Sequence, residues 1–356
     1  MCYPARSQAS PPESVHVIRD AESGLEGVIV LHSTKLGPAA GGCRLWRYGD
    51  ESAATRDALR LAQGMAYKNA LAGLPLGGGK AVLRLPEGSF DRAKLFTAFG
   101  RKVAALKGAY VTAEDVGTTV ADMQVVNEAT HHVAGLPQKP GLPGGDPSPW
   151  TALGVFLSMR EAARRKFGSD LSGLTVAVQG LGNVGARLCH LLHEAGARLV
   201  VAEPRSDVAA AVACRYGAEI ASVAGIAQAR CEIFAPCALG GVLNADSVAN
   251  LQARIVCGGA NNVLATEEDG DRLADRSVLY APDYVVNAGG IINVAAEYLG
   301  WTTTEVELRV RQTDLRLAAV FDHCESTGLP PHRAADLLAL KRIAAGAASS
   351  ALSNAA

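Results

Sequence analysis

The sequence predicts a two-domain α/β protein whose second domain is a doubly wound parallel sheet, with further helices at the C-terminus. Short apolar runs alternate with amphipathic helical patterns along most of the chain, which is typical of an α/β fold. A segment rich in proline and glycine, Leu136 to Pro149, interrupts this alternation, and beyond it a glycine-rich turn joins a strand pattern to a helix pattern. A length of 356 residues agrees with two domains of about 100–200 residues each.

The first domain is predicted to contain four strands and three helices. Its longest helix carries small apolar residues at helical spacing, including Ala62, Ala66 and Ala70. Short apolar runs bounded by turn residues indicate the strands. The predicted strands are Val15–Ile18, Gly27–Leu31, Lys80–Leu85 and Tyr110–Thr112, and the predicted helices are Glu51–Leu71, Arg92–Leu106 and Val120–Thr130.

The segment LPQKPGLPGGDPSP holds five prolines and three glycines and is the predicted connection between the domains. We predict domains at 1–148 and 149–327, with C-terminal helices within 328–356 joined to the first domain. The N-terminal stretch MCYPARSQASPPES is predicted to be a loose tail. After a helix near Trp150, strands are predicted at 174–178, 199–202, 233–235, 255–257 and 278–280, and the last helices at 287–298, 305–325 and 331–345.

The strongest local pattern is Gly-Leu-Gly-Asn-Val-Gly, which begins at Gly180 between a predicted strand and a predicted helix. In a dinucleotide-binding unit the glycine at Gly182 lets a pyrophosphate approach the backbone, and the one at Gly185 lets helix and strand pack closely. An acid follows 23 positions on (203 minus 180), and Glu203 can bind ribose hydroxyls while repelling a 2′-phosphate. The sequence therefore predicts NAD as the cofactor, although the nearby Arg205 weakens the preference over NADP. The alternative is a glycine-rich turn in an ordinary βαβ unit.

Composition and charge exclude several classes of protein. The formal net charge of -1 gives no sign of a nucleic-acid or anionic-membrane partner, and no apolar run approaches the ~18 residues of a transmembrane helix. The eight cysteines include no Cys-x-x-Cys pair, and no Cys/His cluster has zinc spacing. We therefore expect a reduced, cytoplasmic protein without a structural metal.

Three stretches of the first domain could carry chemistry. The loop GPAAGGCR allows a ligand to approach its backbone, MAYKNALAGLPLGGGKAV contains Lys68 and Lys80, and TAEDVG places Asp115 just after a predicted strand. Each has a simpler interpretation, since lysines in apolar windows often extend to solvent and an aspartate after a strand often forms a turn or helix cap. Their combination beside a dinucleotide domain makes catalysis an equally good interpretation.

These motifs resemble those of the glutamate/leucine/phenylalanine/valine dehydrogenase family, most closely its leucine dehydrogenase branch. The resemblance implies an oxidoreductase that catalyses reversible, NAD-dependent oxidative deamination of an L-amino acid to a 2-oxo acid and ammonia. It also implies a substrate-binding and oligomerising first domain, a Rossmann second domain that binds NAD, and a homo-oligomer. The matching stretches, in order from about residue 30 to residue 300, are LGPAAGGCR, GMAYKNALAGLPLGGGKAV, YVTAEDVGTT, PSPWTALGV, VAVQGLGNVG, IFAPCALGG, GGANN and YAPDYVVNAGGIINV.

Matched motif by motif, the resemblance implies roles for individual residues. Lys80 of the GGGK loop is implied to be the catalytic lysine, and Asp115 of the AEDV motif the acid–base group. Lys68 is implied to bind the substrate carboxylate, helped by the backbone at Gly42 and by Asn261. The implied cofactor contacts are Thr151 and Asn287 near the nicotinamide, and Gly180, Leu181, Gly182, Asn183, Val184, Gly185 and Glu203 along the rest of the dinucleotide.

The implied wall of the side-chain pocket is apolar. In family glutamate enzymes a cation in the GPxxGG loop helps to hold the distal carboxylate, and here that position is Ala40. The other implied wall residues are Ala113, Ile291 and Val294. We therefore predict an apolar substrate of the leucine, valine or isoleucine type. The leucine branch usually has leucine where Ala40 stands and the phenylalanine branch commonly has alanine, so a phenylalanine- or tryptophan-type substrate is the alternative.

A further alternative is an inactive regulator that binds NAD without turnover. The presence of both motif lysines and of the motif aspartate argues against it.

Overall fold

The computed structural model describes residues 11–138, 140–238 and 240–353, with side chains up to Gly346. The first ten residues of the expected tail lie outside this description, and a strand already begins at its last residue, Ser14. The chain divides into two compact units. The first unit contains the described residues up to Gly145 with 291–306 and 338–353, and the second contains 146–290 with 307–337. The predicted domain limits at 148 and 327 stay predictions, because these units are groups of segments in mutual contact and not segments known to fold alone.

The first unit begins with six strands and three helices, and includes every element predicted there. The strands form one mixed sheet, in which the first two and the fifth are antiparallel neighbours. The sequence analysis missed two short strands, one within the GPAAGGCR loop and one that begins in this loop and extends beyond it. The strands are β1 (Ser14–Asp20), β2 (Leu25–Ser33), β3 (Ala39–Ala40), β4 (Cys43–Trp46), β5 (Gly77–Arg84) and β6 (Tyr110–Val111), in the order β1-β2-β5-β3-β6 with β4 paired to β5, and the helices are α1 (Glu51–Ala72), α2 (Arg92–Ala105) and α3 (Val120–Ala129).

Helix α1 is fixed by its own sequence and packs closely on β5. The Asp50 side chain caps its N-terminus, and Gly73 ends it in a left-handed conformation with φ 70°. Alanines form its buried face. A Cβ added at Gly78 would lie 2.1 Å from the backbone nitrogen of Ala66, so only glycine allows this approach. The helix therefore lies directly against the strand that carries Lys80.

The second unit is a doubly wound parallel sheet, as predicted. Its order places the first strand between the second and the fourth, so the direction of winding reverses there. The carboxyl end of that strand is the switch point at which such folds bind ligands. The strands are β7 (Thr175–Gln179), β8 (Arg198–Ala202), β9 (Glu219–Ile220), β10 (Ile233–Pro236), β11 (Ile255–Val256) and β12 (Leu279–Tyr280), in the order β12-β11-β10-β7-β8-β9, and the helices are α4 (Ser148–Phe167), α5 (Asn183–Glu194), α6 (Ser206–Tyr216), α7 (Ala245–Asn250), α8 (Glu267–Asp275) and α9 (Asp283–Val286).

The C-terminal region is helical, with one break that the sequence did not predict. The helices are α10 (Gly289–Leu299), α11 (Thr303–Arg311), α12 (Thr313–Thr327) and α13 (Pro331–Ser353). The prediction of one helix over 305–325 was wrong, because α11 and α12 are separate. The Thr313 hydroxyl donates to the carbonyl of Val310 at 2.6 Å and so competes with the helical hydrogen-bond pattern at the break. No helix in the described ranges is long and apolar enough to cross a membrane.

Gly78→Ala is expected to destabilise the protein by about 1–3 kcal/mol, because the new methyl group would overlap the backbone of α1. Gly64→Ala, in helix α1 itself, is the control, because an added Cβ there meets nothing within 4 Å. It is expected to stabilise the helix by about 0.5–1 kcal/mol. Denaturant titrations of both variants measure the two changes. Equal effects would contradict the close packing of α1 on β5.

Candidate active site

Lys80 and Asp115 form an ion pair in the first unit. The Nζ atom of Lys80, a residue only 5% exposed, lies 2.7 Å from Oδ2 of Asp115. Arg44 donates to the same oxygen through Nε at 3.2 Å. Burial acts to raise the pKa of Asp115, but Lys80 and Arg44 outweigh it and hold that pKa below its ordinary value. The structure thus brings the two predicted catalytic residues into direct contact.

Arg44 also extends the charged cluster toward α1. Its Nη1 atom donates to Oδ2 of Asp57 at 2.9 Å, and the Tyr48 hydroxyl donates to the same carboxylate at 2.6 Å. Arg44 is therefore shared between two carboxylates. The sequence analysis missed Arg44, Asp57 and Tyr48 as site residues. No local pattern could have paired Arg44 with partners 13 and 71 positions away.

Gly41 and Gly42 of the GPAAGG loop pack between the GGGK strand and the AEDV segment. A Cβ at Gly41 would lie 1.9 Å from the carbonyl oxygen of Gly79. A Cβ at Gly42 would lie 2.6 Å from the carbonyl oxygen of Glu114 and 2.8 Å from Cβ of Asp115. The backbone of this loop can therefore lie beside the ion pair only because both positions are glycine.

Lys68 lies near the end of α1 and is half-buried. The next residue, Asn69, is fully buried and its side-chain amide donates to the carbonyl of Gly77 at 2.6 Å. A longer contact of 3.4 Å reaches the carbonyl of Ala40. Asn69 thus attaches the helix that carries Lys68 to the GGGK strand and to the glycine loop.

The four predicted wall residues all lie in the first unit. Ala40, in β3, is 5% exposed, and Ala113, just after β6, is 9% exposed. Ile291 and Val294 are half-buried and stand three positions apart in α10, so they share one face of that helix. Their small or aliphatic side chains offer no charge to a substrate.

The glycine turn lies at the switch point of the second unit. Gly180 has φ 90°, a left-handed conformation, and a Cβ at Gly185 would lie 1.9 Å from the carbonyl oxygen of Gly180. A Cβ at Gly182 would meet nothing within 4 Å, so the backbone is open on that side. Gly182 is also the N-cap of α5 and provides no capping side chain, which leaves N–H groups of Asn183 and Val184 for an anion. This arrangement fits a dinucleotide pyrophosphate.

Glu203, at the end of β8, faces the glycine turn. Its carboxylate accepts a hydrogen bond from the backbone N–H of Leu181 at 2.9 Å and another from Nε of Arg205 at 2.7 Å. Hydrogen bonding by Arg205 and then by Leu181 lowers the pKa of Glu203. The side chain is therefore an anion placed where a ribose diol would bind in this fold.

Asn287 lies between α9 and α10, and its amide nitrogen donates to Oδ1 of Asn261 at 2.8 Å. Asn261, predicted for the substrate, and Asn287, predicted for the nicotinamide, are therefore in contact. The Oδ1 atom of Asn287 is buried and has no hydrogen-bond partner within the described part of the chain. Thr151, in the first turn of α4, packs against Gly290, where an added Cβ would lie 2.8 Å from the threonine hydroxyl.

The cysteines and acidic residues form no metal centre in the part of the chain that is described. No group of three or more His, Cys, Asp or Glu side chains there could hold a metal ion. Cys43, Cys189 and Cys257 are buried free thiols, and burial raises the pKa of Cys189 to about 12.

Two family models match the chain. The Glu/Leu/Phe/Val dehydrogenase dimerisation domain matches residues 12–132, and the Glutamate/Leucine/Phenylalanine/Valine dehydrogenase model matches residues 146–230 and 210–350. The chain belongs to this family. It is an amino acid dehydrogenase, an oxidoreductase, and the resemblance inferred from its motifs is confirmed.

Similar proteins cover nearly the whole chain. A leucine dehydrogenase of Geobacillus stearothermophilus is 45% identical over 93% of this chain and 90% of its own length. A valine dehydrogenase of Streptomyces coelicolor is 46% identical over 93% of this chain and 92% of its own. The crystal structure of L-tryptophan dehydrogenase from Nostoc punctiforme is 38% identical, with a TM-score of 0.84 over 94% of this chain and 96% of that one.

Asp115→Asn is expected to lower the free energy of unfolding at pH 7, because Lys80 and Arg44 lose their shared carboxylate. The lowered pKa means that Asp115 stabilises the fold above its unfolded pKa of about 3.9, and that this contribution is lost as the pH falls through the folded pKa. The difference between wild type and variant should therefore shrink below about pH 4.

Denaturant titrations at neutral pH and at pH ~3.5 measure this difference. Glu22→Gln, which changes an exposed carboxylate in the same unit, is the control. A stability difference that is the same at both pH values would contradict the lowered pKa of Asp115.

Proposed function

We propose that the protein catalyses reversible, NAD-dependent oxidative deamination of an apolar L-amino acid of the leucine, valine or isoleucine type. The observation that carries the proposal is the contact between Lys80 and Asp115 beside the glycine loop, in a chain of the amino acid dehydrogenase family. In the overall balance the amino acid gives up a hydride from Cα and a proton from nitrogen. Water then adds to the imine, and ammonia leaves to give the 2-oxo acid.

Substrate binding is proposed to depend on the carboxylate. Lys68 supplies a cation for it, and the backbone N–H of Gly42 supplies a hydrogen bond. A lysine suits this role because its ammonium is a compact charge with three donors. The position of Lys68 next to the buried Asn69 supports the assignment, since Asn69 ties the helix to the glycine loop.

Proton transfers are proposed to pass through Lys80 and Asp115. Asp115 takes a proton from the substrate ammonium, and the free amine can then release the hydride from Cα. For the next step Lys80 acts as the neutral amine, after its own proton has been released to solvent, and it takes a proton from the water that attacks the imine. Asp115 gives the proton that it took to the nitrogen of the carbinolamine, and as ammonia leaves it accepts the proton of the hydroxyl group that becomes the carbonyl. Their 2.7 Å separation supports these roles, because a proton can pass directly between them.

NAD is the proposed cofactor, and it would accept the hydride at C4 of its nicotinamide ring. The open backbone at Gly182 fits the pyrophosphate, and the carboxylate of Glu203 fits the ribose hydroxyls of NAD better than a 2′-phosphate. The buried Oδ1 atom of Asn287 has no hydrogen-bond partner among the residues that the structure describes, so it can accept a hydrogen bond from the nicotinamide carboxamide.

An apolar substrate is favoured by Ala40, Ala113, Ile291 and Val294, none of which can pair with a distal carboxylate. The similar leucine and valine dehydrogenases support an aliphatic substrate. An aromatic amino acid is the second candidate, supported by the small side chain of Ala40 and by the similar tryptophan dehydrogenase. We also propose a homo-oligomer, since the first unit matches a dimerisation-domain model.

The test is a panel of 2-oxo acids with ammonia and NADH, followed at about 340 nm, where reduced nicotinamide absorbs. We expect the highest kcat/KM with the oxo acids of leucine, valine and isoleucine. Lys80→Ala is expected to lower kcat by about 10²–10⁴-fold, the usual effect of general acid–base catalysis, with nearly unchanged NADH binding. NADH binding without turnover of any 2-oxo acid would favour the inactive regulator.

Glu203→Ala is expected to raise the ratio of kcat/KM for NADP to that for NAD by about tenfold or more, since one charge repulsion is removed. Arg205, released from its ion pair, would then face the 2′-phosphate. Arg205→Ala is the control and should keep the preference for NAD. An unchanged ratio in Glu203→Ala would show that another group selects the cofactor.

A further inference from the structure

The hydroxyl of Tyr110 is buried in the first unit and donates to the carbonyl oxygen of Gly41 at 2.6 Å. Tyr110 is the first residue of β6, and its ring packs where a Cβ on Gly79 would be only 3.0 Å away. Burial raises the pKa of Tyr110 far above its ordinary value, so the hydroxyl keeps its proton and remains a donor. The proposed reaction uses no atom of this side chain.

The peptide bond that follows Gly41 has a fixed geometry. It is trans, so its carbonyl and the N–H of Gly42 point in opposite directions. Because Tyr110 holds the carbonyl on the buried side, the N–H of Gly42 points away from the tyrosine. In the described ranges this N–H donates to no backbone carbonyl, whereas those of Gly41 and Cys43 pair with the segment that contains β6.

The end of α1, which carries Lys68, is attached to the same glycine loop. Asn69 is fully buried and donates to the carbonyl of Gly77 at 2.6 Å, so the end of α1 is attached to the start of β5. Its second, longer contact reaches the carbonyl of Ala40, two residues before Gly42. The glycine loop and the end of α1 are therefore held in place by Tyr110 and Asn69, whose side chains are buried in the core.

We infer that Tyr110 is a positioning residue for the substrate carboxylate: by holding the Gly41 carbonyl, it presents the N–H of Gly42 to one carboxylate oxygen. The inference rests on the proposed function, in which Lys68 attracts that carboxylate. Hydride and proton transfer occur at Cα and nitrogen, so the hydroxyl of Tyr110 contributes to binding of the acid end and leaves the chemical steps unchanged.

Tyr110→Phe tests this role, because it keeps the ring and removes only the hydroxyl. The KM for leucine and the Kd for 4-methylpentanoate, an analogue without the amino group, are expected to rise about tenfold, the size of one hydrogen bond to a charged group. The kcat should stay within about twofold of wild type, since the bond is made equally in ground and transition states. The inhibition constant of 3-methylbutylamine, which lacks the carboxylate, should not change.

Tyr298→Phe is the matched control. Its hydroxyl pairs with Nδ1 of His132 at 3.1 Å in the same unit, so the same atom is removed away from the glycine loop. The KM for leucine should equal that of wild type. Thermal denaturation of both variants shows whether each is folded at the assay temperature.

Three results would overturn the inference: unchanged carboxylate affinity in folded Tyr110→Phe, an equal loss of affinity for the amine, or a loss confined to kcat. Calorimetric titration with 4-methylpentanoate tests the inference separately from the proposed function, because it measures binding and needs no turnover. Weaker binding in Tyr110→Phe with no amino acid turned over by wild type would overturn the proposed function alone. Wild type that binds no carboxylate would overturn both.

Discussion

The first unit depends on backbone segments that approach one another more closely than any side chain permits. Gly41 lies against the GGGK strand, Gly42 against the AEDV segment, and Gly78 against α1, each at a distance where a Cβ would overlap another chain segment. Lys68, Lys80 and Asp115 stand next to these contacts in sequence. The proposed chemistry of the unit therefore depends on these glycines, because they set how near the side chains of the three motifs can lie to one another.

The charges around Asp115 are balanced, and this balance makes their burial tolerable. Among the half-buried and buried groups, Lys80 and Arg44 carry two positive charges, and Asp115 and Asp57 carry two negative charges within hydrogen-bonding distance. Arg60, which is mostly exposed, also contacts Asp57 from the solvent side. A buried charge without a partner is costly, whereas a paired and hydrogen-bonded one is not. Arg44 divides its hydrogen bonds between two carboxylates, and with Lys80 it lowers the pKa of Asp115, so this carboxylate is ionised at neutral pH.

Local sequence patterns predicted the elements that a few consecutive residues determine. The strand, glycine turn and helix around Gly180 depend on a few consecutive residues, and the structure has them where the sequence analysis placed them. The hydrogen bond between Arg44 and Asp57 was not predictable, because it depends on how β4 is positioned against α1 in the folded protein. The break between α11 and α12 was missed since Thr313 is an ordinary helix residue until its hydroxyl takes the carbonyl of Val310. The hydrogen bond from Tyr110 is likewise visible only after folding.

The backbone contacts of the glycine loop also limit how this protein can evolve. A side chain at Gly41 or Gly42 would push apart the segments that these glycines bring together, so substitution at either position is disfavoured. Ala40 is different, because its position in β3 already accommodates a side chain. New substrate ranges in this scaffold should therefore arise beside the glycines and leave the glycines themselves unchanged.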